Sequence, residues 1–168
     1  MRLVAPFVCA AALLPAVAAA ATLTVDVEVP TLNVAEYHRP YVALWLEPAA
    51  GEPVNLAVWY DLKLKDNEGE KWLKDMRLWW RKTGRTLTMP VDGVSGATRV
   101  PGRHTVTFAG DQAPLAGLPA GDYTLHVEAA REVGGREVVS IPFTWPAPNS
   151  PAEARGNSEL GRIRVAVE

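Results

Sequence analysis

Tyr123-Thr124-Leu125-His126-Val127-Glu128-Ala129-Ala130-Arg131-Glu132-Val133-Gly134-Gly135-Arg136-Glu137-Val138-Val139-Ser140-Ile141-Pro142-Phe143-Thr144-Trp145 reads as two strands folded back on each other. Tyr123, Leu125, Val127 and Ala129 recur every second residue, which puts them on one face of a strand. Val139, Ile141, Phe143 and Trp145 form the matching face of the return strand. Gly134-Gly135 between them predicts a two-residue turn of the kind that needs positive φ.

The same period extends outward in both directions. Thr22 to Val29 alternates strictly, with Leu23, Val25, Val27 and Val29 on one side, until Pro30 stops it. Tyr41 to Leu46 is apolar on both faces and predicts a central strand. Glu47 to Pro53 predicts a turn. Val54 to Tyr60 then reads as a strand with Val54, Leu56, Val58 and Tyr60 on one side. Short strands are expected at Thr86–Met89 and His104–Phe108, with a loop over Gly110–Gly121. Pro146–Asn157 reads as a polar, Pro-rich loop. Ile163, Val165 and Val167 mark a last strand. Seven or eight short strands without regularly interposed helices argue against a parallel α/β sheet. The expectation is all-β: one immunoglobulin-like antiparallel β-sandwich over residues 22–168. Leu118-Pro-Ala-Gly-Asp-Tyr-Thr-Leu resembles the approach to a strand common in such sandwiches, which concerns fold alone.

One stretch breaks the period. Trp72, Leu73, Met76, Trp79 and Trp80 share a helical face. The spacing predicts a Trp-rich amphipathic helix of about three turns. Asp66 or Asn67 would cap its start, and Gly84 would stop it.

Composition narrows the function. Hydrophobic residues at 48% and charged residues at 21% describe a globular chain. A net charge of -2 gives no reason to expect nucleic acid. Met1-Arg2, the apolar run Leu3 to Val17 and the small-x-small sites at Ala16–Ala20 read as a signal peptide over residues 1–21, directing the chain to the periplasm. Cys9 is the only cysteine and lies in that leader. Disulfides, thiolate metal sites and cysteine nucleophiles are therefore not expected beyond it. His38, His104 and His126 have no metal-site spacing. No nucleophile elbow, P-loop or dinucleotide fingerprint is present, so a hydrolase or metalloenzyme has little support.

The chemistry points to Asp92-Gly93-Val94-Ser95-Gly96-Ala97-Thr98. Its plain reading is a surface turn. Position for position, it also resembles the signal recognised by the bacterial periplasmic FMN transferase: Asp, two variable residues, Ser or Thr, Gly, Ala, then the acceptor. A match of this length arises by chance in well under about one chain in a thousand at average residue usage. The resemblance implies covalent FMN on Thr98, with Asp92, Ser95, Gly96 and Ala97 shaping the loop. More widely, Tyr37–Trp45, Lys71–Arg81, Asp92–Arg99 and Leu118–Glu132 resemble a family of predicted periplasmic proteins of unknown function associated with flavin transferases. That implies electron transfer with a membrane redox protein as partner.

Trp79 and Trp80 point about 100° apart on a helix, so one can pack inward while the other offers a ring to a flavin. Arg81 and Arg99 bring positive charge near in sequence, as do Lys74, Arg77, Lys82, Arg85 and Arg103. The alternative is a non-redox periplasmic interaction module in which the Trp-rich segment and Tyr37–Trp45 form the binding surface. On either reading the chain is a carrier or adaptor rather than an enzyme with its own substrate.

Overall fold

The computed structural model describes residues 20–147 and 151–168. The expected leader lies outside the described residues apart from Ala20 and Ala21. Among the described residues nine strands form two sheets: β1 (Thr22–Val29), β2 (Tyr41–Pro48), β3 (Val54–Tyr60), β4 (Ser95–Ala97), β5 (Gly102–Ala109), β6 (Gly121–Ala130), β7 (Arg136–Trp145), β8 (Ala152–Arg155) and β9 (Arg162–Val167). One sheet runs β5-β1-β9-β8 and the other β4-β3-β2-β6-β7. Neighbours are antiparallel except β3 and β4, which are parallel.

The alternating residues meet between the sheets. Leu23, Val25 and Val27 of β1, Ile163, Val165 and Val167 of β9, Leu125 and Val127 of β6, and Val139 and Ile141 of β7 form one apolar core. Burying such side chains stabilises by about 1.5–3 kcal/mol each. Tyr123 closes one corner by donating its hydroxyl to Pro119 O at 2.7 Å, the local tie that marks a strand start in such sandwiches. β2 is central, as its two-faced apolarity demands: Val42, Leu44 and Leu46 face this core, while Tyr41, Ala43 and Trp45 face the other way.

That other face carries a second core. Tyr41, Ala43, Trp45, Val58 and Tyr60 are covered by Leu73, Met76, Trp79 and Val94. The cover is not the continuous helix expected. Lys65–Asp75 is 3-10, with Asp66 and Asn67 at φ 55° and 56° and so not acting as caps. Met76 interrupts it at φ -76°, ψ 73°, and only Arg77–Lys82 (α1) is α-helical. Helical spacing still identifies inward residues, because Leu73, Met76 and Trp79 are buried. Trp72 is exposed instead. The break lets Glu128, wholly buried on β6, accept from the amides of Leu78 (3.1 Å) and Trp79 (2.7 Å) at the start of α1. Its Oε1 also accepts from Arg136 at 2.8 Å.

Other expectations are corrected. Val54, Leu56, Val58 and Tyr60 do not share a side. The β2–β3 register shifts between Leu44 and Trp45, with Leu44 opposite Ala57 and Trp45 opposite Asn55. Leu56 is the extra residue of this bulge, so Val54 and Leu56 face the inner core while Val58 and Tyr60 face the outer one. Thr86–Met89 is not a strand; Gly84–Thr86 is a 3-10 turn, and Leu87 and Met89 pack on the outer core. The Pro-rich loop contains β8, whose Ala152 and Ala154 lean on the inner core. The β6–β7 turn spans Arg131–Gly135, with positive φ at Val133 rather than at the glycines. Arg131 sets this larger loop, because its guanidinium turns back to form a buried two-pronged bridge to Glu159 at 2.8 and 3.1 Å.

Candidate functional site

The Asp92 loop is a turn that becomes an edge strand. Val91 O accepts from Val94 N (3.2 Å) and Ser95 N (2.9 Å), and Ser95 Oγ accepts from Val91 N at 2.9 Å. Gly93 sits at φ 72°, where a side chain would strain the turn. Val94 is the turn's apolar anchor, buried in the same cluster as Trp79, and Trp80 packs at that cluster's margin. Ser95, Gly96 and Ala97 then pair in parallel with Val58, Trp59 and Tyr60. At Gly96 a Cβ would come within 3.2 Å of the Trp59 ring, so the motif's small residue fits a close approach to indole. Asp92 is exposed.

Thr98 follows where the strand ends. Its amide donates to Tyr60 O at 3.2 Å, which extends the pairing by one step. The side chain is half-buried, and its hydroxyl donates to Asp61 Oδ1 at 3.2 Å in exposed surroundings. Arg99 turns the other way, its guanidinium 5.1 Å from the Trp59 ring centroid. His104 meets the same ring edge-on at 5.9 Å.

The structure thus brings Asp92, Ser95, Gly96, Ala97, Thr98 and Arg99 into one continuous edge. The tryptophans divide as helix geometry suggested. Trp79 is fully buried, with its indole N–H donated to Asn55 Oδ1 at 2.7 Å, and leaves no free ring face. Trp80 is half-buried and Arg81 is exposed.

Asp61 links the edge to a cleft. Its second oxygen accepts from the Tyr41 hydroxyl at a long 3.5 Å. Burial, and then the Asp61 charge, push the Tyr41 pKa up to about 12, so that hydroxyl keeps its proton. Tyr41 and Asp61, with Tyr37, Trp72, Arg131 and Val133, bound a cavity of about 570 Å³. Three of the chain's exposed large apolar residues, Leu64, Trp72 and Val133, stand around it. Tyr37 Oη and Arg131 Nη1, both from cleft residues, are buried without a hydrogen-bond partner. A larger open groove of about 780 Å³ lies by Glu47, Tyr123 and His126 and holds none of the loop residues.

Sequence reasoning missed this cleft. Asp61 lies 37 positions from Thr98, and only the parallel β3–β4 pairing makes them neighbours. Glu128 fell on the outward side of an alternating strand, a position that reads as solvated until something covers it. The histidines stay apart. His38 contacts Glu36 and Glu132, His104 bonds Val100 O, and His126 stacks on Trp45 and bonds Ser140. Among the described residues no cluster of metal-ligating side chains forms, and no helix is long and apolar enough to cross a membrane.

A family model described as predicted periplasmic protein (DUF2271) matches residues 22–162, and the chain belongs to that family. Comparison with curated proteins and with solved structures found no match.

Proposed function

We propose that this member of a predicted periplasmic family is an exported flavin carrier, with FMN esterified to Thr98 and electrons passed to a membrane redox partner. One observation carries the reading: the Thr98 hydroxyl stands half-buried at the end of edge strand β4, held by a single acceptor in exposed surroundings. A modifying enzyme can approach an edge, whereas a hydroxyl in either core would be sealed. Ala97 beside it is small and exposed.

In the attachment step Thr98 Oγ1 attacks the FMN phosphorus of FAD. The new Oγ1–P bond forms, the P–O–P bridge breaks and AMP leaves. The hydroxyl proton passes to a base, and Asp61 holds that proton side of Oγ1 in place beforehand. The residual charge of the phosphodiester calls for positive groups nearby, and exposed Arg99, one residue on, would have to leave the Trp59 ring to supply one. The leader read over residues 1–21 would deliver the chain to the compartment of the FMN transferase.

The test is intact mass after co-expression with an FMN transferase. Wild-type protein gains the mass of FMN less one water, and Thr98→Ala gains nothing. An unmodified wild-type mass ends the reading. The observation favouring a non-redox interaction module is the exposed trio Leu64, Trp72 and Val133. That module would keep its partner whether or not Thr98 is modified.

A further inference from the structure

We propose that the cleft bounded by Tyr37, Tyr41, Asp61, Trp72 and Arg131 seats the isoalloxazine ring of the flavin carried on Thr98. Tyr37 Oη and Arg131 Nη1 would donate hydrogen bonds to the carbonyl edge of the ring, with Trp72 lying against its face. The inference rests on the attachment reading above and assigns the part of the flavin that reading leaves unplaced.

Position supports the seat first. Asp61, which lines the cleft, touches Thr98 with one oxygen and Tyr41 with the other, so a single side chain separates the attachment oxygen from the cavity. A ribityl phosphate starting there leads past Asp61 into the cavity. Esterification removes the hydroxyl that Asp61 accepts from, and Tyr41 remains as its donor. At about 570 Å³ the cavity lies within the range of about 300–1,000 Å³ typical of small-molecule sites.

Chemistry supports it next. Folded proteins seldom leave buried donors unpaired, since each costs roughly 1–3 kcal/mol. Here two stand among the lining residues of one cleft. Arg131 is firmly placed: its side chain is 5% exposed, and Nε and Nη2 are taken by Glu159. Nη1 is what that bridge leaves over. Glu159 balances the guanidinium charge, so Arg131 keeps a spare buried donor at the cleft wall rather than a bare cation. This suits the carbonyls of a neutral planar heterocycle better than a free anion. The Tyr37 ring lies near the same guanidinium, 6.0 Å from Arg131 Cζ. Burial raises the Tyr37 pKa, so its hydroxyl stays a donor. Trp72 is half exposed at 50%, an apolar ring standing in water at the cleft.

The experiment uses full-length protein loaded by an FMN transferase, with intact mass recorded for every sample. Flavin emission in the loaded wild type is expected to be strongly quenched by the neighbouring indole. Trp72→Ala raises it several-fold at unchanged mass gain. Tyr37→Phe takes away a hydroxyl that no protein group uses. It leaves the bare fold intact while shifting the flavin absorption band. Emission equal to that of free FMN in the loaded wild type overturns the cleft assignment while attachment stands. Recovery of emission in Trp80→Ala but not in Trp72→Ala also overturns it, because the ring would then lie on the helical cover. Absence of any mass gain removes both the attachment and the seat.

Discussion

The two faces of the five-stranded sheet are built on different terms. The inner face meets another sheet through apolar residues, mostly aliphatic, and its pattern repeats every second position on β1, β6, β7 and β9. The outer face meets a broken helical segment and a turn. It is fastened by polar groups: Glu128 on the amides of α1, Asn55 on the Trp79 indole, and Asn55 again on Thr83 at 2.8 Å. Hydrophobic burial dominates the first. On the second, directional bonds decide where the cover sits. Everything chemically distinctive, from the Thr98 edge to the cleft, belongs to the second.

Mutation can break this contrast. The largest effect is expected inside: Leu44→Ala removes a fully buried inner-face side chain and should cost about 3–5 kcal/mol in urea unfolding. A cost below about 1 kcal/mol would show that the inner face tolerates a void and is not the rigid layer described. Next comes the fastening of the cover. Glu128→Ala strands two amide donors and unpairs Arg136, for an expected loss of about 2–4 kcal/mol. Hydrogen exchange at the Leu78 and Trp79 amides should accelerate more than exchange on β6. Equal acceleration everywhere would mean that cover and sandwich unfold as one, erasing the distinction.

The smallest effect is at the rim joining the two sheets. Burial raises the Glu137 pKa, but the amides of Asn157 (2.6 Å), Leu160 (2.9 Å) and Ser158 (3.1 Å) outweigh that and hold it below its usual value. A depressed carboxylate pKa gives stability that is fully present above the unfolded value, about 4.3, and is lost as pH falls through the folded value. Glu137→Gln should therefore flatten the acid limb of the stability curve and leave the slope near neutrality alone. An unchanged acid limb in that variant would detach Glu137 from the rim.

How much of this could be read from the chain follows the same division. Strands facing the inner core, such as those carrying Leu125 and Ile141, were legible because alternation needs only a buried side and a wet one. On β3 both sides are covered, so alternation loses its meaning there. Alternation alone groups Val58 and Tyr60 with Val54, since the bulge at Leu56 leaves no mark in composition. The inward residues Leu73, Met76 and Trp79 were legible from spacing, yet the helix carrying them was not continuous. The amides freed at the break bond to Glu128, which is 49 positions from Trp79. The Asp92–Thr98 motif stood out as a local string. Its contact Asp61, and the residues Tyr37 and Arg131 that line a cleft with Asp61, come from three other segments, and nothing local ties them to it.

The parallel ladder between β4 and β3 has a mechanical consequence. Three residue pairs, continued by the Thr98 amide, weld Thr98 to a five-stranded slab instead of hanging it on a swinging arm. On the proposed attachment, the ester oxygen would be fixed to that slab, and hand-over to a membrane partner would depend on which rim the slab presents.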